Sequence, residues 1–193
     1  MDLSFSTFLS VALGIGLAAA AGFRVFVPLL VAGLAARSGY LPLHETFAWL
    51  ASTPALLTLG TASVLEVLAF YIPGVDHALD LVASPATVAA GVVASASVMA
   101  DVPPTVLWPV AIIAGGGIAG LTKGTTAVVR AKSGLATAGL GNPVVATVET
   151  IGATGLALAA VFLPLLCLLA VVVLLVWAGR RLGRRAFGRP RGG

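Results

Sequence analysis

Charge is what this sequence has least of. Only 9% of its 193 residues are Asp, Glu, Lys or Arg, against 59% hydrophobic residues, and a soluble domain typically carries about 25% charged residues. With a mean hydropathy of +1.09, the chain has too little polar surface to cover a water-soluble globule, and a lipid bilayer is its expected surroundings. Cysteine is almost missing as well. Cys167 stands by itself in a leucine-rich run, which excludes a disulfide framework and a thiolate zinc set and leaves packing as its expected role. The two histidines, His44 and His77, fall in expected connections. There is no His-Glu-x-x-His zinc motif and no Gly-x-Ser-x-Gly nucleophile, so an intramembrane enzyme is not expected and no cofactor is implied. The start, Met1-Asp2-Leu3, lacks the basic region of a secretory signal, so the first apolar run is expected to be retained as a membrane helix.

What is present is a series of apolar stretches near the roughly 20 residues a spanning helix needs, without the polar/apolar alternation of barrel strands. Proline and glycine divide them into about six spans: 8–36, 54–72, 85–100, 105–126, 143–162 and 164–178. The expected fold is therefore an all-α polytopic membrane protein, with one transmembrane domain over 1–180 and a basic tail over 181–193. Six of the eleven basic residues follow Gly179. Positive charge beside membrane helices marks the cytoplasmic side, so the tail reports topology rather than nucleic-acid binding. Six spans then place both termini in the cytoplasm. The first span is long and expected to be broken or kinked at Gly22 and Pro28, and the run Gly115-Gly116-Gly117 argues for a break or a close crossing in the fourth.

Four ionisable residues lie inside these apolar stretches: Arg24, Glu66, Lys123 and Glu149. An intramembrane charge costs a few kcal/mol, so it usually faces a bundle interior or a water-filled path and marks function. Arg24 lies roughly 24 Å along a helix entered at Phe8, deep enough to need a partner unless it snorkels. Glu66 stands in the last third of the second span and Glu149 about two turns into the fifth. Either carboxylate serves as a structural partner of a cation or as a group that binds ions and exchanges protons. Lys123, within Thr122-Lys123-Gly124-Thr125-Thr126, does not make a phosphate-binding loop, because that pattern needs Lys followed by Ser or Thr. It is suited to pairing with Glu149 or to contacting an anionic group. Arg130 and Lys132 open a Gly/Ala/Ser connection. After Pro73-Gly74, Asp76, His77 and Asp80 open a short amphipathic segment, read as a capped helix start with a gate contact or a divalent-cation site as the sharper alternatives.

Gly14-Ile15-Gly16 and Gly115-Gly116-Gly117 each precede a basic residue, and Ser63 to Glu66 matches Ala146 to Glu149 in pattern. This suggests a 3+3 inverted repeat of 1–102 and 103–180, an arrangement of many secondary transporters. The expected function is a small transporter or channel for an ionic solute, a metal cation or proton-coupled small ion, using the paired glutamates with Arg24 and Lys123 beside them and the bilayer and a homodimer as context. The alternatives are a carrier of an anionic lipid or lipid-linked phosphate, and a non-transporting scaffold or assembly protein.

The stretch Gly22-Phe23-Arg24-Val25-Phe26-Val27-Pro28, Glu66 followed by Ile72-Pro73-Gly74-Val75-Asp76-His77-Ala78-Leu79-Asp80, Thr122-Lys123, Arg130, and the segment from Asn142-Pro143 to Glu149 together resemble the bacterial integral-membrane family catalogued as domain of unknown function 4126. The resemblance covers most of the chain. It implies a multi-span protein of a bacterial inner membrane in which these residues form the common site, and it names no solute.

Overall fold

Proline sets most of the helix starts, since its missing N–H is no loss in the first helical turn. Pro28, Pro54, Pro104, Pro143 and Pro164 each stand at the first or second position of a helix. The structure, a computed structural model, describes residues 5–72, 75–137 and 140–187, apart from the side chains of 75–82, 174, 175, 177–179 and 181–187. The helices are α1 (Phe5–Ala21), α2 (Val27–Arg37), α3 (Thr53–Ala69), α4 (Val75–Ser97), α5 (Pro104–Val110), α6 (Gly117–Thr137), α7 (Asn142–Phe162) and α8 (Pro164–Phe187). A 3-10 turn, Glu45–Ala51, leads into α3, and a π-helical turn, Ala111–Gly116, joins α5 to α6. No strand occurs among the described residues. The fold is that of a helical membrane protein. Pro104–Thr137 and Asn142–Phe162 are long and apolar enough to cross a bilayer, and the 3-10 turn with α3 adds a third such unit bent by 68°.

The first apolar run is not one kinked span. Contacts along α7 and α4 show that α1 and α2 form an antiparallel hairpin. Gly16 of α1 packs against Ala160 of α7, and by Arg24 the chain has reached Ala146 and Thr150, near the start of α7. By Tyr40 it has returned, with the Tyr40 ring 5.7 Å from that of Phe162, and His44 N–H then donates to the Ser97 carbonyl at the end of α4. Hydropathy registers the length of an apolar run but not its direction, and the reversal is set by contacts distant in sequence. A Cβ on Gly22 would lie 2.3 Å from Cβ of Thr122 on α6, so only glycine lets the hairpin tip sit against that helix.

Two further local expectations change, and a third resolves to one of its alternatives. The segment after Pro73-Gly74 does not end before a separate span; α4 runs unbroken from Val75 to Ser97 through Pro85. At Gly115–Gly117, where a break or a close crossing was expected, the structure has the close crossing. Pro109 lies inside α5 and the π turn follows it, a common way to absorb a displaced hydrogen-bond ladder. The glycines serve the crossing with α4, where a Cβ on Gly115 would stand 2.7 Å from Cβ of Ser95 and one on Gly91 would stand 2.4 Å from Cβ of Ala119. Finally, Arg130 and Lys132 are not in a loop, because α6 continues to Thr137.

The core is built mainly of small residues. Leu17, Ala18, Ala20 and Ala21 of α1 are fully buried, as are Ala94 and Ala96 of α4 and Ala153, Ala157 and Ala160 of α7, so backbones approach closely. The large apolar side chains face outward instead: Leu65 and Leu68 on α3, Ile113 and Leu121 on the α5–α6 unit, Ile151 on α7 and Leu166 and Leu169 on α8 are all exposed. That inversion suits a lipid surface, which does not penalise exposed leucine. Tyr40, Trp49 and Trp108 are exposed near one end of the bundle, where amphipathic rings suit a membrane interface.

Candidate functional site

Three helix faces and the hairpin tip converge near the other end. On α6 the buried positions are Ala119, Lys123, Thr126 and Arg130, a spacing of four, three and four that keeps them on one face. On α7 the same rhythm gives Asn142, Ala146, Glu149 and Ala153. On α3, Leu59 and Ser63 are buried and the half-buried Glu66 shares their face, and the buried Phe70 caps the end of the helix. Arg24 lies in the turn between α1 and α2 and is 0% exposed.

Glu149, 4% exposed, is gripped by Arg130, whose Nε donates to Oε1 at 3.2 Å and whose Nη2 donates to Oε2. Arg24 Nη2 approaches the same Oε2 at 3.8 Å. Its other bonds fix it to α7: Nη2 donates to the Ala146 carbonyl at 2.8 Å and Nε to Thr150 Oγ1 at 3.1 Å. Planar guanidinium forks of this kind pre-organise two-point contacts with carboxylates.

Glu66 is used differently. Its Oε1 accepts from Val25 N–H at 2.8 Å and its Oε2 from Phe26 N–H at 3.2 Å, so the carboxylate spans two successive amides at the start of α2. Neither helix α1 nor α2 satisfies those amides, and a helix N-terminus favours negative charge. The Arg24 and Lys123 charges also act on this carboxylate.

Phe70 joins the parts. Its buried ring lies 4.2 Å from the Arg130 Cζ, 4.4 Å from the Arg24 Cζ and 5.5 Å from the Lys123 Nζ. Each contact is within the range of cation–π attraction, about 0.5–2 kcal/mol apiece. Next to it, the Tyr71 hydroxyl and Thr147 Oγ1 are hydrogen-bonded at 2.6 Å, which ties the end of α3 to α7.

The structure thus brings Arg24, Glu66, Lys123 and Glu149 into one cluster. Arg130 and Phe70 belong to it as well; Arg130 stands among the residues that carry the family resemblance but reads there as part of a connection and is not paired with Glu149, and Phe70 is not singled out from the sequence. A signal for each was present: Arg130 follows Lys123 by seven residues, two helical turns, and Phe70 follows Glu66 by four. Gly22 and Pro28 flank the hairpin tip that carries Arg24, whereas Gly115, Gly116 and Gly117 lie at the π turn against α4. Asp76, His77 and Asp80 lie in α4, and their side chains fall outside the described residues. Among the described residues no group of three His, Cys, Asp or Glu side chains is placed to hold a metal ion.

No curated protein and no solved structure matches the chain. Residues 11–184, which include every member of the cluster, match the family model described as Domain of unknown function (DUF4126), and the chain belongs to that family.

Proposed function

We propose that the protein is a small membrane carrier or channel for an anionic solute, with Arg24, Lys123 and Arg130 as its binding groups. The observation that carries this reading is the convergence of three cationic heads on the buried Phe70 ring while both carboxylates of the cluster already accept from strong donors. A metal cation would have to displace Arg130 from Glu149 or two amides from Glu66, and hard cations want several free oxygens. An anion finds donors already gathered. We therefore set aside the sequence-based preference for paired glutamates as cation or proton ligands in favour of an anionic solute, with Glu149 neutralising Arg130 and Arg24 in its absence.

For the membrane arrangement we propose five crossings, by α3, α4, α5 with α6, α7 and α8, and a re-entrant hairpin of α1 and α2 in place of a sixth. The 3+3 repeat then lacks matching parts, since a hairpin stands in one half where a continuous 34-residue helical unit stands in the other. Arg130, Lys132 and Arg180 share one end, which the charge rule makes cytoplasmic, and Phe5 stands at the opposite end.

The test is flux into proteoliposomes of labelled acetate, phosphate and chloride, with sodium and rubidium alongside. At least one anion is expected to enter saturably, and Lys123→Gln to slow it about tenfold or more, the scale of a lost bond to a charged group. Substitution of the exposed Lys132 by Gln is expected to leave the rate unchanged. Flux of the cations without any anion, or no flux of any solute, would overturn the proposal.

A further inference from the structure

Glu66 sits where a ligand would. Its two oxygens bridge the amides of Val25 and Phe26 at 2.8 and 3.2 Å, a flat two-point contact that fits a carboxylate in shape as well as charge. These amides belong to the N-cap residue Phe26 and to Val25 before it, immediately ahead of an 11-residue helix, where backbone N–H groups and the helix dipole favour an anion whatever molecule supplies it. A second observation points the same way. Arg24 is fully buried beside this turn, and its Nη1 has no hydrogen-bond partner, although buried guanidinium donors are normally satisfied. Its guanidinium lies over Phe70, one helical turn along α3 from Glu66, and its charge acts on the Glu66 carboxylate.

The helix that supplies this carboxylate is the least embedded of those around the cluster. Only Leu59 and Ser63 of α3 are buried, and Leu57, Val64, Leu65 and Leu68 are exposed. It packs chiefly on α2 and the 3-10 turn, with a small contact to α4. Its inner end is held by three fasteners: Glu66 on the α2 amides, Phe70 under the cations, and Tyr71 on Thr147. All three leave the cluster together if the end of α3 swings outward.

We infer that the start of α2 is a carboxylate subsite, which Glu66 fills in this closed arrangement and the carboxylate of a small organic acid takes when the end of α3 moves away. The inference rests on the anion reading above and narrows its substrate class. Glu66 is then an internal competitor: it keeps the two amides occupied between turnovers, and a solute must displace it to bind.

Calorimetry on the purified full chain in detergent tests this, with acetate, phosphate and chloride as probes. Removing the competitor's charge in Glu66→Gln is expected to tighten acetate binding about tenfold relative to the native protein, and the further change Arg24→Gln to abolish the gain. Acetate is also expected to restore the thermal stability of Glu66→Ala, where the uncharged isostere acetamide does not; if that variant fails to fold, the calorimetry of Glu66→Gln stands by itself. Acetate binding no tighter in Glu66→Gln than in the native chain would overturn the inference. Equal gains for phosphate or chloride would overturn the carboxylate class. Anion flux by the native protein with no acetate gain in Glu66→Gln would refute the subsite and leave the transport reading standing. An acetate gain without flux of any solute would do the reverse.

Discussion

Replacing Glu149 by Gln tests how the cluster is held together. The native carboxylate accepts two bonds from Arg130 and lies 3.8 Å from Arg24, with Arg130 5% and Arg24 0% exposed. Removing one partner of a buried ion pair costs about 3–5 kcal/mol, because the remaining charge stays desolvated. Arg24 keeps the Ala146 carbonyl and Thr150, and Gln keeps one acceptor oxygen for Arg130, so the lower end, about 3 kcal/mol, is expected. For a chain of this length each kcal/mol moves Tm by about 2–4 °C, giving a fall of about 6–12 °C. The chain contains its own reporter. Cys167 is its only cysteine and is 2% exposed, so a thiol-reactive fluorophore reads unfolding directly. Glu149→Met combined with Arg130→Met removes both charges together and should recover most of the loss, since a well-packed apolar pair is often no less stable than the ion pair it replaces. A fall below about 2 °C in Glu149→Gln would refute the reasoning. It would mean that water or another anion neutralises Arg130.

Two further perturbations address the fold. Gly22→Ala puts a Cβ against Thr122 and the Ala119 carbonyl and is expected to destabilise by about 1–3 kcal/mol, whereas Gly60→Ala on α3, with nothing within 4 Å, should stabilise by about 0.5–1 kcal/mol; the same thiol melting assay reads both. In a Cys167→Ser background, Ser6→Cys and Tyr40→Cys should react with an impermeant maleimide from the same face of sealed vesicles, because α1 and α2 double back. A single kinked span would place them on opposite faces.

Much of this was legible in the sequence because it depends on local chemistry. Pro54, Pro143 and Pro164 mark helix starts wherever the chain goes, and a charge inside an apolar run needs an interior, so Arg24, Glu66, Lys123 and Glu149 could be singled out before any geometry was known. The turn at Gly22 was also visible, but its angle was not. A break between two apolar runs looks the same whether the second continues or reverses, and the choice depends on Thr122 across from Gly22 and on Glu66 across from Val25. Arg130 entered the candidate site only through the family resemblance, and its helical place was obscured by its neighbours: Lys132, Ser133 and Gly134 read as a loop, although the spacing from Lys123 already placed it on the buried face. Phe70 was hidden for a different reason. An aromatic residue in a membrane helix usually faces lipid or core, and only the three cations around this one give it a role.

The central claim, that the buried cluster is an anion site, is tested most directly by diffraction from crystals of Glu66→Gln grown with 4-bromobenzoate, whose unreactive aryl bromine marks its own position by anomalous scattering. The account predicts a bromine peak beside the start of α2, with the carboxylate on the Val25 and Phe26 amides and close to Arg24. Bromine peaks confined to the outer surface, with the cluster unchanged and empty of ligand, would contradict it.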